Sequence, residues 1–392
     1  MSTEIAGTRP FSLNDDHRDI AALARQFADE QLAPGALEWE QDKDLPLDVL
    51  RMGAESGFGG IYVSEEHGGS GLSRLDAALI FEALGTGDPS VAAYISIHNM
   101  VAWMIDSFGD DAQKERFLPA LTSMDQLGAY CLTESSSGSD AAALKARAEL
   151  SEDGTHYVLT GDKAFISGAG TAGVYIIMAR TGGPGPKGIS AFIVEDGAEG
   201  LGYGALEKKL GWVAQPTRTV TLDGVKVPVE NRLGEEGKGF NIAMAGLNGG
   251  RLNIGACSIG GAQFALEKSL AYVTEREAFG APLANLQHLQ FQLADMATDL
   301  EAARTLLWRA AATLDAKDPE ATKLCAMAKR FATDAASSVA DKALQIHGGY
   351  GCMTEYGIEK VFRDLRVHQV VEGTNEIMRV VIARDLLKGA RA

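Results

Sequence analysis

The sequence is sparing with cysteine, with aromatic residues and with positive charge, and it has no long apolar run. Its four cysteines, Cys131, Cys257, Cys325 and Cys352, are scattered along 392 residues. No C-x-x-C pair occurs, and no Cys/His cluster has metal-ligand spacing, so no metal is expected. The pattern reads as reduced, mostly structural thiols in a reducing compartment. No stretch approaches the ~18 consecutive apolar residues of a membrane span. Thirty-six Lys and Arg stand against 53 Asp and Glu, a formal net charge of −17. That balance disfavours nucleic acid and anionic membrane surfaces as partners, yet still admits an anionic cofactor held by local basic groups and helix ends. Residues 1–20 lack an apolar core and carry acidic residues, unlike a secretory or transit peptide. The expectation is a cytoplasmic protein, with the mature form of a mitochondrial matrix protein as the alternative.

What is present suits a soluble chain of two or three domains, with 46% hydrophobic and 23% charged residues. Residues 1–125 read as helical. Ser12 with Asp15 resembles a capping box before Ile20, Leu23, Phe27 and Leu32. Further helices are expected from Pro46 to about Ala54, around Leu75, Leu79 and Leu84, and over Val91–Phe108, where His98 reads as a satisfied core histidine. Residues 126–234 change to short β-rich runs: 129–133, 157–160, 164–167, 174–180, 189–194 and 218–222. Residues 235–392 return to helices over 240–275, 286–314, 321–347 and 375–388. The organisation is α+β and multidomain, with the two helical parts open to packing together.

Two stretches match G-x-G-x-x-G, at Gly168–Gly173 and Gly183–Gly188. The first precedes Val174–Arg180, a β-branched run rather than a helix, so no helix N-terminus is available to cradle a phosphate. The second contains prolines and also leads into a strand. Neither is read as a dinucleotide site.

Other motifs carry weight. Tyr130–Asp140 (YCLTESSSGSD) leaves a strand into a loop dense in hydroxyls, able to offer donors to phosphate or to a flavin edge without positive charge. Near the C-terminus, Val370-Val371-Glu372-Gly373-Thr374 places one carboxylate after an apolar pair and just before a helix with Thr374 as its N-cap. Burial there would raise the carboxylate pKa and suit a general base; a solvated glutamate complementing the helix dipole also fits. Together with Ala164–Ser167 (AFIS), Arg276–Gly280 (REAFG) and Gln345–Gly351 (QIHGGYG), these blocks resemble the acyl-CoA dehydrogenase family, in order and over nearly the whole chain. The resemblance implies an N-terminal helical domain, a middle antiparallel β domain and a C-terminal four-helix bundle. It further implies FAD, an acyl-CoA thioester substrate, an electron-transfer flavoprotein as acceptor, and a homotetramer built as a dimer of dimers. Gly182–Ser190, Gly211–Arg218, Gly246–Arg251 and Leu293–Thr298 are similar to members acting on short 2-methyl-branched thioesters. Straight short chains, 2-methylbutyryl-CoA and a flavin-binding relative without dehydrogenase activity are the alternatives.

The resemblance assigns roles residue by residue. Glu372 is the base. Some members carry theirs just before the arginine of the Arg251 motif, but that position is Gly250 here. Glu376 lies four residues on, by the cofactor. Tyr130, Leu132, Thr133, Ser139, Phe165, Ile166, Ser167, Thr374 and Glu376 would contact FAD. Arg276, Phe279, Gln287, Gln345, Gly348 and Gly349 would reach the FAD of a neighbouring subunit. Ser139, Asn248, Arg251, Gly373 and Arg384 would contact the acyl-CoA, with Gly249 and Gly250 leaving room for an α-methyl branch. Ser135-Ser136 replaces the family's usual Pro-Gly, which is expected to loosen that turn.

Overall fold

The computed structural model of the protein describes residues 13–389. Six helices come first: α1 (Asp15–Phe27), α2 (Ala36–Asp42), α3 (Leu47–Glu55), α4 (Arg74–Gly87), α5 (Pro89–Phe108) and α6 (Asp111–Thr122). The expected cap Ser12 lies outside the described residues. Asn14 caps α1, accepting the His17 N–H at 2.8 Å while the His17 ring accepts the Asn14 N–H in return. Helix α5 is apolar nearly all round and is buried accordingly. Its His98 is a core histidine as read. Nδ1 accepts the Gly128 N–H, Nε2 donates to the Leu121 and Gly59 carbonyls, and burial pushes its pKa down to about 4.

The middle of the chain forms one sheet of eight strands: β1 (Gly128–Cys131), β2 (Arg147–Leu150), β3 (His156–Ser167), β4 (Val174–Arg180), β5 (Ile189–Glu195), β6 (Leu201–Tyr203), β7 (Thr217–Pro228) and β8 (Arg232–Leu233). Their order is β6-β7-β3-β2-β4-β5-β8, with β1 also on β4. The main ladders are antiparallel; β1 pairs β4 in parallel, and β2 meets β4 in parallel at one residue pair. The two runs expected at 157–160 and 164–167 are one strand. A register shift against β7 between Lys163 and Ile166 interrupts the alternation that sequence reading needs. Strands β2, β6 and β8 were not expected, being only two to four residues long, too short for an alternation to show.

Long helices then return as α7 (Gly239–Glu275), α8 (Gln287–Asp315), α9 (Ala321–His347) and α11 (Asn375–Gly389), with a shorter α10 (Ile358–His368) between the last two. Helix α10 was not expected because Lys360, Asp364 and His368 share its buried face and break the apolar period. The two helical parts do pack together. Helices α4 and α7 meet at backbone contact, where a Cβ on Gly85 would lie 2.7 Å from the Cys257 carbonyl oxygen and one on Gly260 would collide with that of Glu82. The four cysteines are free, three of them buried. Among the described residues no helix is long and apolar enough to cross a membrane.

A buried ion cluster joins these layers. Lys360 bonds Asp364 at 2.8 Å and Asp88 at 3.1 Å, while Asp88 caps α5 through the Ser90 and Val91 N–H groups. Removing the cation would leave two carboxylates buried without a counter-charge. Lys360→Met is therefore expected to destabilise the protein by about 3–5 kcal/mol, read as a fall in the urea midpoint. A double Lys360→Met/Asp364→Leu variant should recover part of that loss.

Candidate active site

Between α10 and α11 the chain makes a tight turn around Glu372. Glu372 takes φ +56° and Gly373 φ +90°. The first costs a side-chain-bearing residue roughly 1–2 kcal/mol, so something must hold it there. That support comes from α9. Lys329 Nζ donates to the Gln369 carbonyl (3.3 Å), the Gly373 carbonyl (2.9 Å) and Asn375 Oδ1 (2.9 Å). Asn375 Nδ2 donates to Thr333 and Asp334, and Gln369 Nε2 also donates to Asp334. Thr374 caps α11 as expected, its hydroxyl accepting the Ile377 N–H.

The Glu372 carboxyl sits against the glycine face of α7. A Cβ at position 250 would lie 2.5 Å from Oε2 and 2.9 Å from Cδ. Oε2 is buried and has no hydrogen-bond partner among the described residues. Burial pushes the Glu372 pKa up to about 7, with Arg251 and Lys329 pulling the other way. Neither cation bonds the carboxylate. Arg251, only 5% exposed, reaches the Glu372 carbonyl at 3.4 Å and Asn248 Oδ1 at 2.8 Å, and Asn248 is tied in turn to Thr322. Val367 and Val371, on the approach to Glu372, pack with Ile97 against buried Trp212 and Ile254. Trp212 donates to His368 Nε2 and His368 Nδ1 meets the Ser258 hydroxyl, which fixes the ring as neutral; burial puts its pKa at about 3. No hydrogen bond among the described residues takes up the Glu372 backbone N–H. The space expected beside Gly249 and Gly250 for an α-methyl group is filled by protein. Gly250 accommodates Glu372 itself, and Gly249 accommodates the Arg74 guanidinium, which lies 3.7 Å from the Tyr62 ring centroid.

On the sheet side, Lys163 and Glu134 form a buried pair at 2.8 Å, and Glu134 also accepts the Lys145 and Ala146 N–H groups. Burial raises the Glu134 pKa, but Lys163 and these donors outweigh it and hold the carboxylate below its ordinary value. Lys163 also bonds the Leu132 carbonyl, and the Ala164 N–H donates to Thr133, so strand β3 is laced to the hydroxyl-rich loop. The register shift turns Phe165 outward at φ +60°, leaving it 67% exposed, while Ile166 and Leu132 point into the core. Any contact of those two with a cofactor would pass through their backbone. The Tyr130 hydroxyl is buried without a partner, and Glu372 is among the charges acting on it. An exposed flat ring, an orphaned hydroxyl and half-buried Thr133 and Ser167 fit the edge and face of a flavin. The turn expected to be loosened by Ser135-Ser136 is closed. Glu134 and Ser137 exchange two backbone hydrogen bonds, and neither serine takes positive φ, so glycine is not required.

Other assigned residues lie elsewhere. Ser139 and Arg384 are exposed. Glu376 is exposed, and its own backbone N–H and Thr374 hold it below the ordinary carboxylate range, so it is no rival base. Gln345, Gly348 and Gly349 lie at the far end of α9, where Arg276 stands over Tyr350 and Phe279 is 96% exposed. Gln345 is sixteen residues past Lys329, roughly 24 Å along the helix. Within one chain these residues do not meet Glu372. Lys329, Thr333, Asp334, Tyr62, Arg74 and the Trp212–His368 pair are parts of the site that sequence reasoning missed. Lys329 was detectable, since the α9 period puts it on the face of Cys325, Ala332 and Ala336.

A carboxyl whose folded pKa exceeds its unfolded value favours folding most at low pH, and that contribution is lost as pH rises through about 7. Glu372→Gln should therefore raise stability at pH 8 by about 1–3 kcal/mol, with the gain vanishing below about pH 5. Thermal melts of the pair across that range test it; a pH-independent difference would contradict the buried, unpartnered state.

Comparison with known proteins agrees with this geometry. The acyl-CoA dehydrogenase N-terminal, middle and C-terminal domain models match residues 14–125, 129–225 and 237–387. The mitochondrial isobutyryl-CoA dehydrogenase of Bos taurus is 50% identical over 376 residues, covering 96% of this chain and 90% of that protein. Its counterpart from Dictyostelium discoideum is 51% identical over 377 residues, with the same coverage. The solved butyryl-CoA dehydrogenase of Megasphaera elsdenii superposes with a TM-score of 0.93 at 40% identity, over 97% of this chain and 100% of that one. A buried, partnerless carboxylate beside a glycine, next to a surface shaped for a flavin, thus has its explanation in descent: the chain belongs to the acyl-CoA dehydrogenase family.

Proposed function

We propose that the protein oxidises a short 2-methyl-branched acyl-CoA, isobutyryl-CoA to methacrylyl-CoA, as in valine breakdown, with Glu372 as the base. The observation that carries this reading is the Glu372 carboxyl itself, half-buried, partnerless at its buried Oε2 and poised near neutrality. An α-proton beside a thioester is weakly acidic, so its removal needs a basic carboxylate and a donor for the enolate-like oxygen. The free N–H of Glu372 supplies that donor on the same residue, and its φ of +56° sets its direction. The apolar packing of Val371 on Trp212 and Ile254 beside the turn supports a dry setting for that chemistry.

FAD, when bound, supplies the redox chemistry by accepting the β-hydride. Tyr130, Leu132, Thr133, Ser139, Phe165, Ile166 and Ser167 would hold it from one chain, with Thr374 and Glu376 at the α11 start. Arg276, Phe279, Gln287, Gln345, Gly348 and Gly349 would hold the FAD of a second copy. Their distance from Glu372 and the exposure of Phe279 support a second copy meeting this end of the chain, as the proposed homotetramer, a dimer of dimers, would require. Arg251, Asn248, Gly373 and Arg384 are assigned to the acyl-CoA, Arg251 from beneath the base. Electrons would leave through an electron-transfer flavoprotein. The branched-chain preference rests on the two relatives at about half identity.

Anaerobic flavin bleaching against a panel of acyl-CoAs tests the reading. Isobutyryl-CoA is expected to bleach fastest, Glu372→Gln to slow bleaching by at least about 10³-fold, and kcat/KM to fall as pH drops through about 7. Fast bleaching only by long chains would overturn the substrate. Gly250→Ala should lower kcat for branched and straight thioesters alike, because its methyl would displace Glu372. A change in chain preference at parental kcat would argue instead for direct contact with the branch.

A further inference from the structure

Lys329 is a lysine with no exposed surface on a helix whose neighbouring buried positions are small and apolar. Taking an ammonium out of water is costly unless its three donors are used, and here all three go to one seven-residue segment. Two acceptors, the Gln369 and Gly373 carbonyls, bracket Glu372. The third is the side chain of Asn375, whose amide is held by Thr333 and Asp334 one turn further along α9. The segment is thus fixed before and after Glu372, its one side-chain-bearing residue with a left-handed backbone. The charged groups acting on Glu372 are Arg251 from α7 and Lys329 from α9; Tyr130 from β1 and Tyr62 from the loop before α4 also feel its charge. Those acting on Lys329 are Glu372, Asp334 and Glu376, with Arg251 opposing. Burial pulls Lys329 down to about 8, so it remains charged at neutral pH.

We propose that Lys329 is a positioning residue for the base: its ammonium clamps both sides of the Glu372 turn and supplies a fixed positive charge that acts on the carboxylate without touching it. The division of labour has a chemical reason. A cation bonded to the carboxylate would cover the lone pair that must take a proton and would strip it of basicity. A cation bonded to the carbonyls on either side stabilises the anion from a distance and leaves Oε2 free. The assignment rests on Glu372 being the base, as argued above.

The test uses the FAD-loaded protein and two neutral replacements, Lys329→Met, which keeps the length, and Lys329→Gln, which also keeps an N–H donor. Titration of the Glu372 carboxyl is followed by its infrared C=O stretch, identified by its disappearance in Glu372→Gln. In both replacements the midpoint should rise by about one pH unit or more. Turnover should fall by about tenfold or more with a smaller change in KM. Lys329→Arg should restore the midpoint. A merely structural lysine would lower the melting temperature and leave the midpoint alone; that result in either folded replacement overturns the proposal. The infrared titration needs no substrate. A parental protein that bleaches with no thioester would refute the dehydrogenase reading while this inference is still decided.

Discussion

A carboxylate with one oxygen buried and left without a hydrogen bond is the constraint around which this molecule is arranged. Such a group ordinarily costs several kcal/mol or takes up a proton. Here the cost is moderated by two cations, Arg251 and Lys329, that bond the backbone around Glu372 and not its carboxyl. The result lies between two simpler solutions. A direct ion pair would leave a weak base, as with Glu134, which Lys163 holds below its ordinary value. A wholly apolar pocket would leave a permanently protonated acid. The chain contains both a carboxylate whose buried oxygens are bonded, Glu134, and one, Glu372, with a buried oxygen left unbonded.

The same economy governs the flavin side. The lacing of β3 to the Thr133 loop through Lys163 uses a bulge that would otherwise be a defect, and the bulge turns an aromatic ring out of the sheet. Phe165 and Phe279 are both exposed rings on left-handed residues. Unfavourable exposure coupled with unfavourable backbone geometry is tolerated where another surface is to be covered.

Much of this was legible in the residues. The change of texture near residue 126 and again near 235, the long apolar helix with its core histidine, and the rejection of the two glycine-rich matches all followed from periodicity. Glu372 was legible as the base only through the resemblance of the ordered blocks, since its own stretch fitted a solvated glutamate at a helix start as well. What escaped was whatever depended on polar groups facing inward. Helix α10 hid behind Lys360, Asp364 and His368, and Lys329 passed as an ordinary helix lysine. Strand β3 was split by a bulge that no alternation rule reveals. The glycine pair was read as space for substrate, whereas it is space for Arg74 and Glu372. A missing side chain records only that something comes close, not what.

The crossing of α4 and α7 has a mechanical corollary. Where Gly85 and Gly260 bring two backbones together, no layer of side chains lies between them to slide or tilt. Helices packed through side chains can shear by small steps, but main chain against main chain behaves as a rivet. The N-terminal and C-terminal helical parts are thereby pinned to each other at this crossing.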